Sequence, residues 1–293
     1  MRHMADYVLM TDSCCDLPAE LAEELGLEVL PLRLELEGKE YRNLLDGSEI
    51  GFREFYDRVR DGAMPVTSAV NVGEFEEAMR PVLESGKDIL CLCFSSALST
   101  TYQSAVIAAR ELEESFPGRK VRVVDSLCAS MGQGLFVWLC AREKKRGTTL
   151  EELWDYVERT KGRVCHWFTV DDLNHLKRGG RVSAAAALFG TMLSVKPVLH
   201  VDDQGRLIPM EKCRGRKASL LALADHMEKD ALDPEHGPVF ISHGDCLEEA
   251  EFLAEEIRRR FGTKTIHISY VGPVIGSHTG AGVMALFFVG RSR

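Results

Sequence analysis

The chain has 293 residues, 45% of them hydrophobic and 28% charged, with a formal net charge of -9; this supplies core material for two domains of roughly 130 to 160 residues. An acidic balance argues against a general nucleic-acid surface, which needs a basic excess to neutralise phosphates. No apolar run approaches the roughly 18 residues of a bilayer span, the opening MRHMADYVLMTD lacks a signal peptide's apolar core, and nine scattered cysteines form no disulfide framework, so the sequence predicts a cytoplasmic protein with no integral membrane segment.

A first strand is expected over residues 7–10, stopping at Thr11, Asp12 and Ser13 before a helix over 18–25 whose proline suits the first turn. Residues 27–36 alternate as extended chain, and with the turn at Gly38 and Lys39 and the polar stretch 41–47 they read as a hairpin or arm. A helix over 48–60 carries Phe52, Phe55, Tyr56 and Val59 on one face, and PVTSAVN at 65–71 reads as a loop leading into a helix over 72–84, with Thr67 and Ser68 at its polar centre.

The stretch DILCLCFSSALSTTYQSA, 88–105, organises the first half. Residues 89–94 form a buried parallel strand and 99–110 the helix after it, so Ser95, Ser96, Ser99, Thr100 and Thr101 gather where strand becomes helix. Hydroxyls and the free N–H groups of a helix start can converge there on one carboxylate or phosphate. Another strand, 121–124, also ends on polar residues, Asp125 and Ser126, and helices over 130–146 and 150–160 follow. Three strands with hydroxyls or carboxylates at their carboxyl ends predict a binding crevice along that edge of an open α/β sheet.

Composition changes near Arg163, which sets domains at 1–162 and 163–293. The second half is expected to be α/β with a mixed or antiparallel sheet: an extended segment 164–170, the basic loop RGGR at 178–181, the apolar stretch 184–199, a hairpin around DDQGR, helices over 218–229 and 247–261, and strands over 239–243, 265–270 and 283–289. Gly276, Gly280 and Gly282 around Ser277, His278 and Thr279 read as a tight loop that lets backbone and imidazole approach a bound group closely. Cys91 and Cys93 share one strand face, but no second Cys or His pair follows at ligand spacing, so no metal site is expected.

Seven motifs in order, TDSCCDLP, PVTSAVN, SSALSTTYQSA, DSLCASMGQG, LKRGGRVS, KPVL and GPVIGSHTGAG, closely resemble the DegV family of bacterial fatty-acid-binding proteins over nearly the whole chain. The resemblance implies two α/β domains enclosing one long-chain fatty acid, its tail in an apolar tunnel and its carboxylate at the domain interface. It further implies no catalysis and no cofactor, but presentation of the acid to a separate fatty acid kinase, which makes an acyl-phosphate for phospholipid synthesis. Carried over by motif, the carboxylate binders are Thr67 or Ser68, Ser96 with Ser95 nearby, and His278 with Thr279. Lys177, Arg178 and Arg181 form a basic knot that is either a solvated turn or the kinase docking point, and Arg214, Arg216 and Lys217 raise the same pair of readings. Thr100 stands where the family usually has glycine, and a β-branched residue disfavours positive φ.

Two other classes compete. A serine hydrolase would use Ser96 or Ser95 as nucleophile, His278 as base and Asp12 or Asp125 to orient it, but the serine lies in FSSALS and not in a G-x-S-x-G elbow. A nucleotide-binding protein lacks both usual phosphate loops, G-x-x-x-x-G-K-[ST] and G-x-G-x-x-G after a strand.

Overall fold

The structure is a computed structural model that describes residues 7–182 and 195–293. In the first half β1 (Tyr7–Asp12), β2 (Leu27–Leu30), β6 (Asp88–Cys93) and β7 (Val121–Asp125) form a parallel sheet in the order β2-β1-β6-β7. The central strands β1 and β6 are apolar runs buried along nearly their whole length, as strands covered on both faces must be. Around them lie α1 (Ala19–Glu24), α3 (Val72–Glu84), α4 (Thr101–Ser115), α5 (Met131–Lys145) and α6 (Leu150–Thr160). Helix α3 starts at a capping box, with Asn71 accepting from Glu74 N and Glu74 accepting in return, and buries Phe75, Met79 and Leu83 at helical spacing.

Three strands make a separate arm: β3 (Arg33–Leu36), β4 (Lys39–Arg42) and β5 (Val66–Ser68), in the antiparallel order β4-β3-β5. The stretch 65–71 is therefore not simply a loop, because Thr67 pairs with Leu34 across the ladder. A three-residue strand that gains its partner from thirty residues upstream leaves no periodicity to read. Helix α2 (Phe52–Arg60) joins the arm to the second half: Tyr56 donates to Val271 O at 2.7 Å, and Phe52 stacks on Tyr270 with ring centroids 4.9 Å apart.

A 3-10 turn at Lys161–Arg163 leads into the second sheet, built from β8 (Val164–Thr169), β9 (Val195–Val201), β10 (Leu207–Arg214), β11 (Val239–His243), β12 (Ile266–Tyr270) and β13 (Met284–Val289). Its order is β10-β9-β8-β13-β11-β12, mixed as expected: β11 and β12 are parallel and the other neighbours antiparallel. Helices α7 (Asn174–Arg178), α8 (Arg216–Asp230), α9 (Leu247–Phe261) and α10 (Pro273–Thr279) complete the described chain. Most of the apolar stretch 184–199, residues 184–194, lies outside the described residues. No described helix is long and apolar enough to cross a membrane.

The GSHTG region is helical where a tight loop was expected. Pro273 sits at the start of α10, His278 and Thr279 fall in its last turn, and Gly280 at φ 77° ends it. Gly276 serves packing and not turning, since a Cβ there would lie 2.7 Å from the Tyr56 hydroxyl oxygen. One apolar cluster runs continuously through both halves, joining Leu9 and Leu92 to Phe168 and Phe287; a second fills the space under α8 and α9 with Trp167, Leu223 and Leu253.

Candidate functional site

Where the halves meet, the structure encloses a cavity of about 490 Å³, within the roughly 300 to 1,000 Å³ usual for small-molecule sites. The first half contributes the carboxyl-end segments after β2, β6 and β7: Leu32, Phe94, Ser96 to Thr100, Ala129 and Ser130. That is the edge at which ligands bind in open α/β sheets. The second half contributes side chains of β8, β9, β10 and β13, such as Phe168, Val201, Leu207 and Phe287, and one side of α10. Most of this lining is apolar.

Its polar groups are linked to one another. Thr67 lies on the inward side of β5, and its Oγ1 is 2.8 Å from His278 Nε2. His278 Nδ1 faces Gly179, the residue that ends α7, where any Cβ would collide with it, so that position requires glycine. Arg181 follows two residues on, donating through Nε to Leu98 O at 3.2 Å and through its guanidinium to Gly179 O, and it too lines the cavity. Burial, with the Arg181 charge beside it, pushes the His278 imidazole down to about 4. His278 is therefore neutral near pH 7 and carries one N–H. With the hydrogen on Nε2, His278 donates to Thr67 and leaves the Thr67 O–H to give; with it on Nδ1, Thr67 donates to Nε2 and the remaining N–H points at Gly179. A cation, a spare donor and nearby hydroxyls suit an anionic head group; the apolar walls suit a hydrocarbon.

The nominated residues part ways. Thr67, Ser68, Ser96, His278 and Thr279 all border the cavity. Ser68 lies on the exposed side of β5, opposite Thr67, as strand alternation requires. Thr279 donates its hydroxyl to Ile275 O within α10 at 3.1 Å. Ser96 donates its N–H to Asp125 Oδ1 at 3.1 Å, while no described group takes up its hydroxyl. Ser95 is outside the lining: fully buried, it donates its hydroxyl to Gly205 O at 2.9 Å and so ties the β6 loop to the β9–β10 turn. Helix α4 begins at Thr101 and not Ser99, and Thr100 has φ -80°, so this loop needs no left-handed residue at that position. Lys177 and Arg178 sit on α7 away from the cavity, Arg178 bonding to His175 Nδ1 at 3.1 Å. Arg181 differs from them in facing the cavity, and sequence reasoning had no signal for that beyond its two glycines. It also missed Ser130, at the start of α5 with φ 52° and ψ -146°.

Neither aspartate of the hydrolase reading reaches His278. Asp12 accepts from Phe94 N at 2.7 Å and Cys14 N at 3.1 Å, and burial pushes it up to about 6. Asp125 Oδ1 accepts from Ser96 N and Leu127 N, both at 3.1 Å.

The DegV family, described as uncharacterised proteins, matches residues 7–291. A DegV domain-containing protein of Clostridium perfringens is 45% identical over 290 residues, covering 99% of each chain. Among solved structures, a DegV family protein of Thermus thermophilus described by its fatty acid binding is 33% identical with TM-score 0.88, covering 97% of this chain and 99% of its own. DegV of Bacillus subtilis, described as a fatty acid binding protein, is 30% identical with TM-score 0.85, covering 98% of this chain and 100% of its own. With seven motifs in register, a matching family over almost the entire length and the same fold in its relatives, this chain belongs to the DegV family.

Proposed function

We propose that the protein binds one long-chain fatty acid in this cavity, its carboxylate at the polar end formed by Thr67, Ser96, His278 and Arg181, its tail along the apolar walls, and that the halves 1–162 and 163–293 act as the two domains enclosing it. The carrying observation is the combination in one cavity of apolar lining with the Thr67–His278 pair and the Arg181 guanidinium. Relatives at 33% and 30% identity described as fatty-acid binding support the ligand class. The tail supplies most of the affinity, at about 0.8 kcal/mol per buried methylene, and the head group fixes position. In this reading Ser68, Ser95 and Thr279 shape the polar end from behind. The protein carries out no chemistry of its own and uses no cofactor. It presents the carboxylate to a separate fatty acid kinase, which transfers the terminal phosphoryl group of ATP to it, in the cytoplasm and towards phospholipid synthesis. Lys177 and Arg178, on α7 and outside the cavity lining, are the docking contacts in that step.

Mass spectrometry of an organic extract, with native mass spectrometry of the purified protein, tests the binding. A fatty acid at one per chain is the expected result; a protein that is empty and takes up no added oleic acid overturns the reading. Phosphorylation of the bound acid by a purified fatty acid kinase, lost on replacing Lys177 and Arg178 by Ala with binding retained, tests the presentation.

A further inference from the structure

Behind the cavity wall lies a buried polar cluster with no place in the head-group reading. Asp16, at φ 51° after β1, accepts from the Ser130 hydroxyl at 2.6 Å, and Ser130 in turn contacts the Ser242 hydroxyl of β11 at 2.9 Å. The other oxygen, Asp16 Oδ1, is buried without a partner among the described residues, and so is Asn43 Oδ1. Both crowd the α-carbon of Gly272, the residue that starts α10: a Cβ on Gly272 would stand 2.6 Å from Asp16 Oδ1 and 3.0 Å from Asn43 Oδ1. The void they share with Ser269 and Tyr270 is about 10 Å³, room for at most one water and for no hydrated counter-ion.

Two unpaired acceptor oxygens in one dry corner need a hydrogen between them or near them. The titratable groups that face Asp16 are Asp12 of β1, Cys14 and Cys15 of the next turn, Tyr56 of α2 and Tyr270 of β12; none is a Lys or Arg. Resting on the fatty-acid reading, we propose that Asp16 is the positioning residue of the site: as a neutral carboxylic acid it holds Ser130 against one wall of the cavity and the start of α10, with His278 and Thr279, against the other, and its ionisation unseats both. Burial pushes this carboxyl up to about 8, which agrees. An anion there would be held by the Ser130 hydroxyl and the Gly272 backbone N–H alone, with no cation beside it, and the cost of burial outweighs them.

The test is oleic acid affinity, by isothermal titration, for the wild-type chain and Asp16→Asn between about pH 7 and about pH 9. In that window His278 and His243, each pushed down to about 4, do not titrate. The wild type should lose about tenfold in affinity over the window, the factor set by the fraction left protonated. Asp16→Asn keeps an acceptor for Ser130 and offers an N–H to Asn43 Oδ1, so it should bind as tightly as the wild type at the lower pH and stay flat. A flat wild-type profile, or a variant whose profile parallels the wild type, overturns the proposal while leaving fatty-acid binding intact. Failure of both proteins to bind oleic acid even at the lower pH instead removes the fatty-acid reading, and the proposal with it. Should Asp16→Asn not fold, the infrared carbonyl stretch of a protonated carboxyl in the wild type gives a second measurement. It should vanish across the same window in step with affinity, and its absence at the lower pH overturns the proposal.

Discussion

Replacing Arg181 by Met removes the one guanidinium of the described cavity lining while keeping an apolar stem of similar reach. A hydrogen bond to a charged partner contributes about 1.5 to 3 kcal/mol, so the carboxylate should lose roughly tenfold to a hundredfold in affinity. Arg181 also holds Leu98 O and Gly179 O. Those bonds stand in the structure without any ligand, so their loss should lower stability, by about 1 to 2 kcal/mol, and affect every ligand alike. Comparing oleic acid with oleyl alcohol separates the two effects, since the alcohol has the same tail and no anion. In the wild type the acid should bind well ahead of the alcohol; in Arg181→Met that preference should collapse, with alcohol affinity little changed. If acid and alcohol weaken together, Arg181 shapes the cavity without meeting the carboxylate, and the assignment of this end as the head-group site is wrong.

Other consequences are equally direct. Gly179→Ala puts a methyl onto His278 Nδ1; fatty-acid affinity should fall by at least tenfold, about the loss of one well-placed charged hydrogen bond, with a loss of stability of about 1 to 3 kcal/mol from overpacking, whereas equal binding would mean the imidazole can move freely. Ser95→Ala removes the bond to Gly205 O and should destabilise the fold by about 1 to 3 kcal/mol in urea denaturation, with little effect on affinity; Ser96→Ala should show the reverse. Stability should also fall with rising pH between about 6.5 and about 8. Asp16, raised from 3.8 to about 8, binds a proton in the folded state that the unfolded chain has already lost. His278 and His243, lowered from 6.5 to about 4, act with the opposite sign but only below about 6.5. Denaturation at several pH values should thus give a negative slope in that window that Asp16→Asn abolishes; a flat curve in the wild type would refute it.

Elements held by local signals were legible. Helix α3 has its capping box, α9 its acidic start and basic end, and β11 its apolar run, and all three span the residues their patterns predict. The α/β class, with a parallel sheet followed by a mixed one, follows from the same signals. What depended on distant partners was not legible. Strand β5 exists because Leu34 pairs with Thr67, and α10 is hidden by glycines that answer to Tyr56 and His175 packed against them. The strand-end hydroxyls could be seen as a group, yet Ser95 and Ser96, neighbours in sequence, turn to opposite tasks because one faces Gly205 and the other the cavity. Arg181 looked like part of a basic surface knot; only a contact 83 residues away, with Leu98, turns it inward.

The same chain contains a serine and a histidine in one cavity lining and two aspartates in the loops behind it, and the difference between a hydrolase and a carrier lies in which of them touch. A triad carboxylate next to imidazole would raise its proton affinity and orient it as a base. Here Asp12 and Asp125 are taken up by backbone N–H groups of the β6 and β7 loops, where they shape the loops that wall the cavity. His278 is left with Thr67 and a nearby cation, and burial holds it at about 4. Such a group is a poor proton acceptor at neutral pH, and a good neutral donor. The geometry that withholds a base from Ser96 is the geometry that keeps a hydrogen available for a carboxylate, so binding without turnover is the chemistry to which these residues are committed.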